Sequence, residues 1–187
     1  MAEWKKKRDI MRRYDATAHM YDLRYEQEQT SKYVAALESL QKQELGIVLD
    51  VGCGTGLLFH YINRASKRIV GVDISRKTLL KARERARNLS NVEIVCADAD
   101  FIPLQEGTCD HVFAITLVQN SPRPVRTLEE VKRASKGEAV IVVTGLKGIF
   151  SREDFTDLLR KARLHVTAFE DEEDLKCYVA ICTKTHH

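Results

Sequence analysis

A short apolar run, Gly46-Ile47-Val48-Leu49-Asp50-Val51, ends in Gly52-Cys53-Gly54-Thr55-Gly56, and a helical stretch from Leu57 to Arg64 follows. A buried strand that passes into a helix through so tight a glycine turn is the opening unit of an α/β fold with a parallel sheet. The glycines allow a sharp turn and let the backbone approach a ligand without Cβ interference. The same alternation continues downstream. Strands are predicted at Arg68 to Asp73, Val92 to Ala97, His111 to Val118 and Ala139 to Thr144. Between them lie helices at Ser75 to Asn88, with Ser75 as N-cap, and at Pro124 to Ala134. A further helix begins at Ser151, with Asp154 at the third position and a stripe of Phe155, Leu158, Leu159 and Ala162. His165 to Phe169 and Leu175 to Thr183 then form a hairpin across an acidic turn. Ahead of the first strand, residues 2–43 read as helical with a turn near Tyr14 to Ala18, and Tyr33, Ala36, Leu37 and Leu40 make an amphipathic stripe. Seven strands and their helices use all 187 residues, so the expectation is one domain over 1–187 with 1–43 as an N-terminal helical lid.

Composition narrows the class. With 44% hydrophobic and 30% charged residues the chain is globular, and no apolar run reaches the length of a membrane span. No apolar segment follows the basic stretch Lys5-Lys6-Lys7-Arg8, which predicts a cytoplasmic protein. The 5 cysteines (53, 96, 109, 177 and 182) have no framework spacing and read as free thiols, and no Cys/His cluster has metal-ligand spacing. The net charge of +3 is too small to imply a polyanionic partner, but its distribution is uneven. Residues 1–14 carry 6 basic side chains, residues 76–87 another 6, and Glu170-Asp171-Glu172-Glu173-Asp174 is wholly acidic. These runs are either solvated faces or, for the basic ones, a surface for a polyanion.

The loop's spacing is G-x-G-x-G, not the G-x-G-x-x-G of a dinucleotide site, because the sixth position is Leu57. Asp50 just before it opposes a pyrophosphate and suits a cation-bearing ligand, although it can also serve merely to cap loop amides. Asp73 ends the second strand, where a carboxylate can accept both hydroxyls of a ribose. Asp98 follows the third strand, within reach of an exocyclic amine of a base. Three carboxylates around one crevice define a nucleoside with a free ribose, no phosphates and a cationic tail. Cys53 reads as a small residue beside the ligand, not a nucleophile. His60 and His111 read as boundary residues, and Tyr14, Tyr21 and Tyr25 as either packing or ligand contacts.

The series LDVGCGTG (49–56), VGVDIS (70–75), ADADFIPL (97–104), CDHVFAITLVQN (109–120) and LEEVKR (128–133), preceded by YDATAHMYD (14–22), resembles the class I S-adenosylmethionine-dependent methyltransferases. The resemblance implies a Rossmann-like seven-stranded mixed sheet of order 3-2-1-4-5-7-6, with strand 7 antiparallel and helices on both faces. It implies S-adenosylmethionine as cofactor. Gly52, Cys53 and Gly54 would then line its methionyl part, with Asp50 nearby. Asp73 would hold the ribose, Ile74 would cover the adenine, and Asp98 with Ala99 would meet the adenine edge. The backbone at Ile115 and Thr116 would meet the methionyl amine, and Tyr21 would close over the sulfonium. The reaction expected is an in-line displacement at a methyl carbon, which depends on positioning and needs no dedicated catalytic residue. Family members that methylate exocyclic or amide nitrogens commonly carry [DN]-P-P-[FYW] after strand four. This chain has Thr116-Leu117-Val118-Gln119-Asn120-Ser121-Pro122, with Gln119 and Asn120 placed to contact substrate. A minimal lid and the basic segments point to RNA, tRNA or rRNA, as acceptor. The alternative is a metabolite or quinone-like small molecule. Some small members also pair with a zinc-containing activator protein through the third-strand edge, here 92–97.

Overall fold

The computed structural model describes residues 2–40 and 44–185. Seven strands form one sheet: β1 (Gly46–Val51), β2 (Ser66–Asp73), β3 (Val92–Cys96), β4 (Cys109–Ala114), β5 (Ser135–Leu146), β6 (Leu164–Glu170) and β7 (Cys177–Lys184). Their order is β3-β2-β1-β4-β5-β7-β6. Neighbours from β3 to β5 pair in parallel, and β7 is antiparallel to both β5 and β6. The expected order and the expected antiparallel strand are both present.

The strands read as near-continuous apolar runs because they are buried on both faces. Side chains alternate between two cores. Leu49, Val112, Ile141 and Ala180 join Leu128 and Val131 of α5 (Pro124–Ala134) and Phe155 and Leu159 of α6 (Arg152–Lys161). Val48, Phe113, Val142 and Val179 face the other way. They meet α2 (Tyr21–Ser39), the single turn α3 (Phe59–Ile62) and α4 (Arg76–Arg85). Among the described residues no helix is long and apolar enough to cross a membrane.

Local signals set several helix starts. The Ser75 hydroxyl accepts from the Thr78 amide at 3.2 Å, and that of Ser151 from the Asp154 amide at 3.0 Å, as N-cap chemistry requires. Other boundaries differ from the sequence expectation. Helix α1 (Ala2–Thr17) runs through Tyr14, and the turn falls later, at Ala18–Met20. Strand β4 stops at Ala114, because Thr116 takes a left-handed backbone (φ 59°) that no strand can continue through. The helix expected over 57–64 is α3 alone, flanked by turns. The predicted loop at Ser135–Glu138 is already part of β5. The C-terminal end of the first helical segment, 41–43, lies outside the described residues.

Candidate active site

The carboxyl ends of β1 to β4 open onto one crevice enclosing about 820 Å3, counting the part open to solvent. That is within the size range of small-molecule sites, about 300–1,000 Å3. Its floor is the glycine loop. Gly52, Gly54 and Gly56 all lie in the left-handed region (φ 76°, 55° and 75°), which explains the G-x-G-x-G spacing. A Cβ on Gly52 would stand 3.0 Å from Leu117 Cδ1, whereas beside Gly54 there is open space. The amides of Gly52 and Cys53 both donate to the Val72 carbonyl, at 2.7 and 3.1 Å, tying the loop to β2.

Asp73 stands at the end of β2 and organises this wall. Its carboxylate accepts from the Gly54 amide at 3.0 Å and from the Ser75 amide at 2.8 Å. Burial raises its pKa in spite of these bonds. Asp50 lies beneath the loop, only 4% exposed, and none of the described residues hydrogen-bonds or ion-pairs with its carboxyl group. Burial, with Asp73 nearby, pushes its pKa up to about 8. A cation-bearing ligand above the loop is the kind of group that would restore its charge. Cys53 is buried, and burial pushes its thiol well above the usual range, which leaves it inert as a nucleophile.

The opposite end holds a charge cluster. Lys7 Nζ, from α1, donates to both oxygens of Asp98 at 2.7 and 2.6 Å and to Asp100 Oδ2 at 2.5 Å. Asp100 is buried and also accepts from Thr127 Oγ1 at 2.6 Å. Burial opposes its ionisation, but Lys7, Thr127 and Arg123 together hold its carboxyl below the usual range. Alongside Lys7, α1 contributes Ile10 and Tyr14 to the crevice wall. The helix pair is pinned elsewhere too. Asp15 accepts from Ser75 Oγ at 2.6 Å and from the Lys77 amide at 3.2 Å, at the start of α4. Asp22 accepts from Thr55 Oγ1 at 2.6 Å and from Arg85 at 2.8 Å.

The wall beyond β4 is made by Ile115, Thr116, Leu117 and Asn120. Asn120 is a tie between elements. Its amide nitrogen donates to Tyr14 Oη at 3.0 Å and to the Thr116 carbonyl at 2.9 Å, and its oxygen accepts from Arg13 at 2.8 Å. Burial raises the Tyr14 pKa.

Of the residues singled out in the sequence, the structure brings Gly52, Gly54, Asp73, Ile74, Asp98, Ala99, Ile115, Thr116 and Asn120 to the crevice wall. Asp50, Cys53 and Gln119 are not on it, and the Gln119 Oε1 is buried without a partner among the described residues. The side chain of Tyr21 lies outside the described residues. Lys7, Ile10 and Asp100 were not singled out. Lys7 sits in a run of three lysines, and nothing in the run marks the middle-chain position that turns inward.

A protein-family model described as a methyltransferase domain matches residues 49–143. The chain belongs to this family, the S-adenosylmethionine-dependent methyltransferases. Among curated relatives, the malonyl-[acyl-carrier protein] O-methyltransferase of a Marinomonas species is 32% identical over 142 residues, 75% of this chain and 52% of that protein. The ribosomal protein L11 methyltransferase of Thermotoga maritima is 31% identical over 124 residues, 66% of this chain and 44% of that one. The chain thus spans about half the length of the curated relatives it matches. A similar fold occurs in a methyltransferase solved in complex with the Haloferax volcanii Trm112 methyltransferase activator. It has a TM-score of 0.77 at 17% identity, covering 92% of this chain and 98% of that one.

The crevice fits the family's cofactor on its own features. Asp73 stands at a β2 end with a carboxylate open to the crevice, and the space beside Gly54 admits a close ligand. Ile74, Ala97 and Ala99 offer apolar walls for a base. No phosphate-binding arrangement faces these carboxylates.

Proposed function

We propose that this chain is an active S-adenosylmethionine-dependent methyltransferase whose acceptor is RNA, tRNA or rRNA. In this reading Asp73 accepts both ribose hydroxyls, and Ile74 and Ala99 flank the adenine. Asp98 shares its oxygens between Lys7 and the adenine amine. Gly52, Cys53 and Gly54 border the methionyl part, the backbone at Ile115 and Thr116 takes its ammonium, and Asp50 supplies negative charge beneath it. Tyr21 and the helices of residues 1–43 close over the site as a lid. The cofactor supplies an activated methyl group. The chain's own residues orient it and exclude water, so positioning carries the reaction. Asn120 serves by holding Tyr14 and Thr116 in place, and the acceptor enters past them.

The observation that carries the RNA reading is the basic surface around the crevice mouth. Helix α1 packs along α4. Lys5, Lys6, Arg8 and Arg12 on α1, and Arg76, Lys77 and Arg83 on α4, are exposed and have no ion-pair partner among the described residues. Exposed aromatic rings sit among these charges. Trp4 is 54% exposed and Phe101 63%, with Lys7 and Arg126 against the Phe101 ring. Exposed rings interleaved with cations suit unstacked bases on a phosphate backbone. Lys7 itself is committed to Asp98 and Asp100 and stands apart from that surface. The variant Lys5→Glu/Lys6→Glu/Arg8→Glu/Arg12→Glu is therefore expected to weaken RNA binding about tenfold or more and flatten its salt dependence. S-adenosylhomocysteine binding, read by calorimetry, stays unchanged. Equal RNA affinity in the two proteins would remove the reading.

A small activator protein at the sheet edge is part of the same proposal. Strand β3 is an edge, with Val92, Ile94 and Val95 only half-buried. Such an edge needs a cover, and the activator complex with a similar fold supports one here. Val95→Lys should abolish capture of that partner from an extract of the source cells, and unchanged capture would count against it. The direct test incubates the protein with methyl-labelled S-adenosylmethionine and that extract, divided into RNA, protein and small-molecule fractions. Label in RNA is the expected result. Label confined to small molecules would replace RNA with the metabolite or quinone-like alternative.

A further inference from the structure

Lys32 is a buried lysine in a region where an unpaired ammonium could not be tolerated. It lies on α2, its residue is 2% exposed, and it is among the largest fully buried side chains. Its Nζ donates to Glu28 Oε1 at 2.8 Å and to Thr116 Oγ1 at 3.1 Å. Burial opposes the charge on Glu28, but Lys32 and Lys176 hold its carboxyl below the usual range. Lys176, just before β7, reaches Glu28 Oε2 at 3.3 Å. Burying a lysine needs a counter-charge and a hydrogen-bond partner, and both are here.

What the lysine grips is unusual. Thr116 is one of two non-glycine residues with positive φ (59°) among the described residues, and a β-branched side chain is poorly suited to that region. All its polar groups are tied. Its amide donates to Thr144 Oγ1 at 2.8 Å, and its carbonyl accepts from Asn120 at 2.9 Å. Its hydroxyl donates to Gln29 Oε1 at 3.2 Å while accepting from Lys32. A strained residue in a ligand crevice persists when its surroundings over-determine it, and here two of the determinants come from α2. The strain bends the chain out of β4 at the point where the backbone turns into the crevice.

We infer that Lys32 is a positioning residue for the cofactor's amino-acid end: with Gln29 it holds Thr116 in its left-handed turn, and so aims the Ile115–Thr116 backbone at the ligand's ammonium. This rests on the cofactor placement proposed above. Lys32 itself stays behind Thr116, outside the crevice lining. The occupied grip couples α2, the β4 end and the start of β7, so docking of the second helix and shaping of the ligand wall become one event.

Lys32→Met keeps the apolar stem and removes the ammonium, leaving Glu28 to Lys176. Calorimetric titration with S-adenosylhomocysteine should show affinity reduced roughly tenfold. Adding Thr116→Gly should recover most of that affinity, because glycine adopts the turn without a grip. It should not recover the melting temperature, which distinguishes aiming from general stability. Should Lys32→Met fail to fold, Gln29→Leu removes the other partner of the same hydroxyl and should give a smaller loss, again recovered by Thr116→Gly. Wild-type affinity in the single variants would overturn the inference, as would a loss that Thr116→Gly leaves unchanged. A wild-type protein that does not bind S-adenosylhomocysteine would instead overturn the cofactor placement, and the inference with it.

Discussion

Asp73→Ala is expected to eliminate measurable binding of S-adenosylmethionine and S-adenosylhomocysteine, with affinity falling by about a hundredfold or more. Two losses add. The first is the pair of charge-assisted hydrogen bonds to the ribose hydroxyls, each worth about 1.5–3 kcal/mol. The second is internal. The same carboxylate takes the Gly54 amide at 3.0 Å and the Ser75 amide at 2.8 Å, so it joins the glycine loop to the start of α4. Without it the loop loses the restraint that keeps three left-handed glycines in one conformation. Asp73→Asn keeps a hydrogen-bonding oxygen and should lose less than Asp73→Ala. Calorimetric titration of both variants checks the order, and Asp73→Ala binding at wild-type strength would remove the ribose assignment. The Asp73→Ala protein also serves as the unlabelled control for methyl-transfer experiments.

Asp50→Asn is expected to make the ligand-free protein more stable at neutral and alkaline pH while weakening cofactor binding. The native carboxyl has its pKa raised to about 8 by burial and by Asp73 nearby. An unfolded aspartate titrates near 4, about four pH units lower. Between those values the unfolded chain has released the proton and the native chain has kept it. The raised native pKa therefore costs nothing below about pH 4, costs progressively more as pH rises, and levels off above about pH 8. At full extent the penalty is on the order of a few kcal/mol. An asparagine carries no proton to lose, so the slope disappears. Melting curves should coincide near pH 4, and the variant should melt roughly 5–10 °C higher near pH 8. The cationic ligand loses its counter-charge in the same variant, so affinity should fall about tenfold. Parallel melting-temperature profiles in the two proteins would show that Asp50 does not dominate this titration. Stability and binding thus pull against each other at one carboxyl, as expected of a group kept for function.

The ends of the parallel strands were legible because their residues have few alternatives. Gly52, Gly54 and Gly56 all need positive φ, and Ser75 and Ser151 cap their helices as their positions suggest. Asp73 and Asp98 reach the crevice because each closes a strand that the apolar pattern marks. The order of the sheet came from family resemblance, since alternation alone does not say which strands neighbour one another. Residues that act against their type were hidden. Thr116 belongs by propensity to a strand, and the predicted β4 therefore ran on to Val118. Lys32 and Gln29 read as the solvent face of an amphipathic helix, yet α2 lies astride strand ends that present a hydroxyl, and polar side chains turn inward to meet it. Lys7 was lost in a basic run for the same reason: its partners, Asp98 and Asp100, are distant in the chain. Asp50 and Cys53 share the loop with the glycines but sit under it, a difference of depth that spacing does not encode.

The contacts that complete the crevice span much of the chain. Lys7 meets Asp98 across 91 residues, Lys32 meets Thr116 across 84, and Glu28 meets Lys176 across 148. During synthesis the two leading helices leave the ribosome before any of these partners exists, and chains fold largely as they emerge. Helix α2 can settle its charges only after β7 has been made and threaded between β5 and β6. A nascent or truncated domain therefore lacks a finished ligand wall even when its central strands have paired. Possession of a working crevice is in this sense a report that translation has reached the last strand.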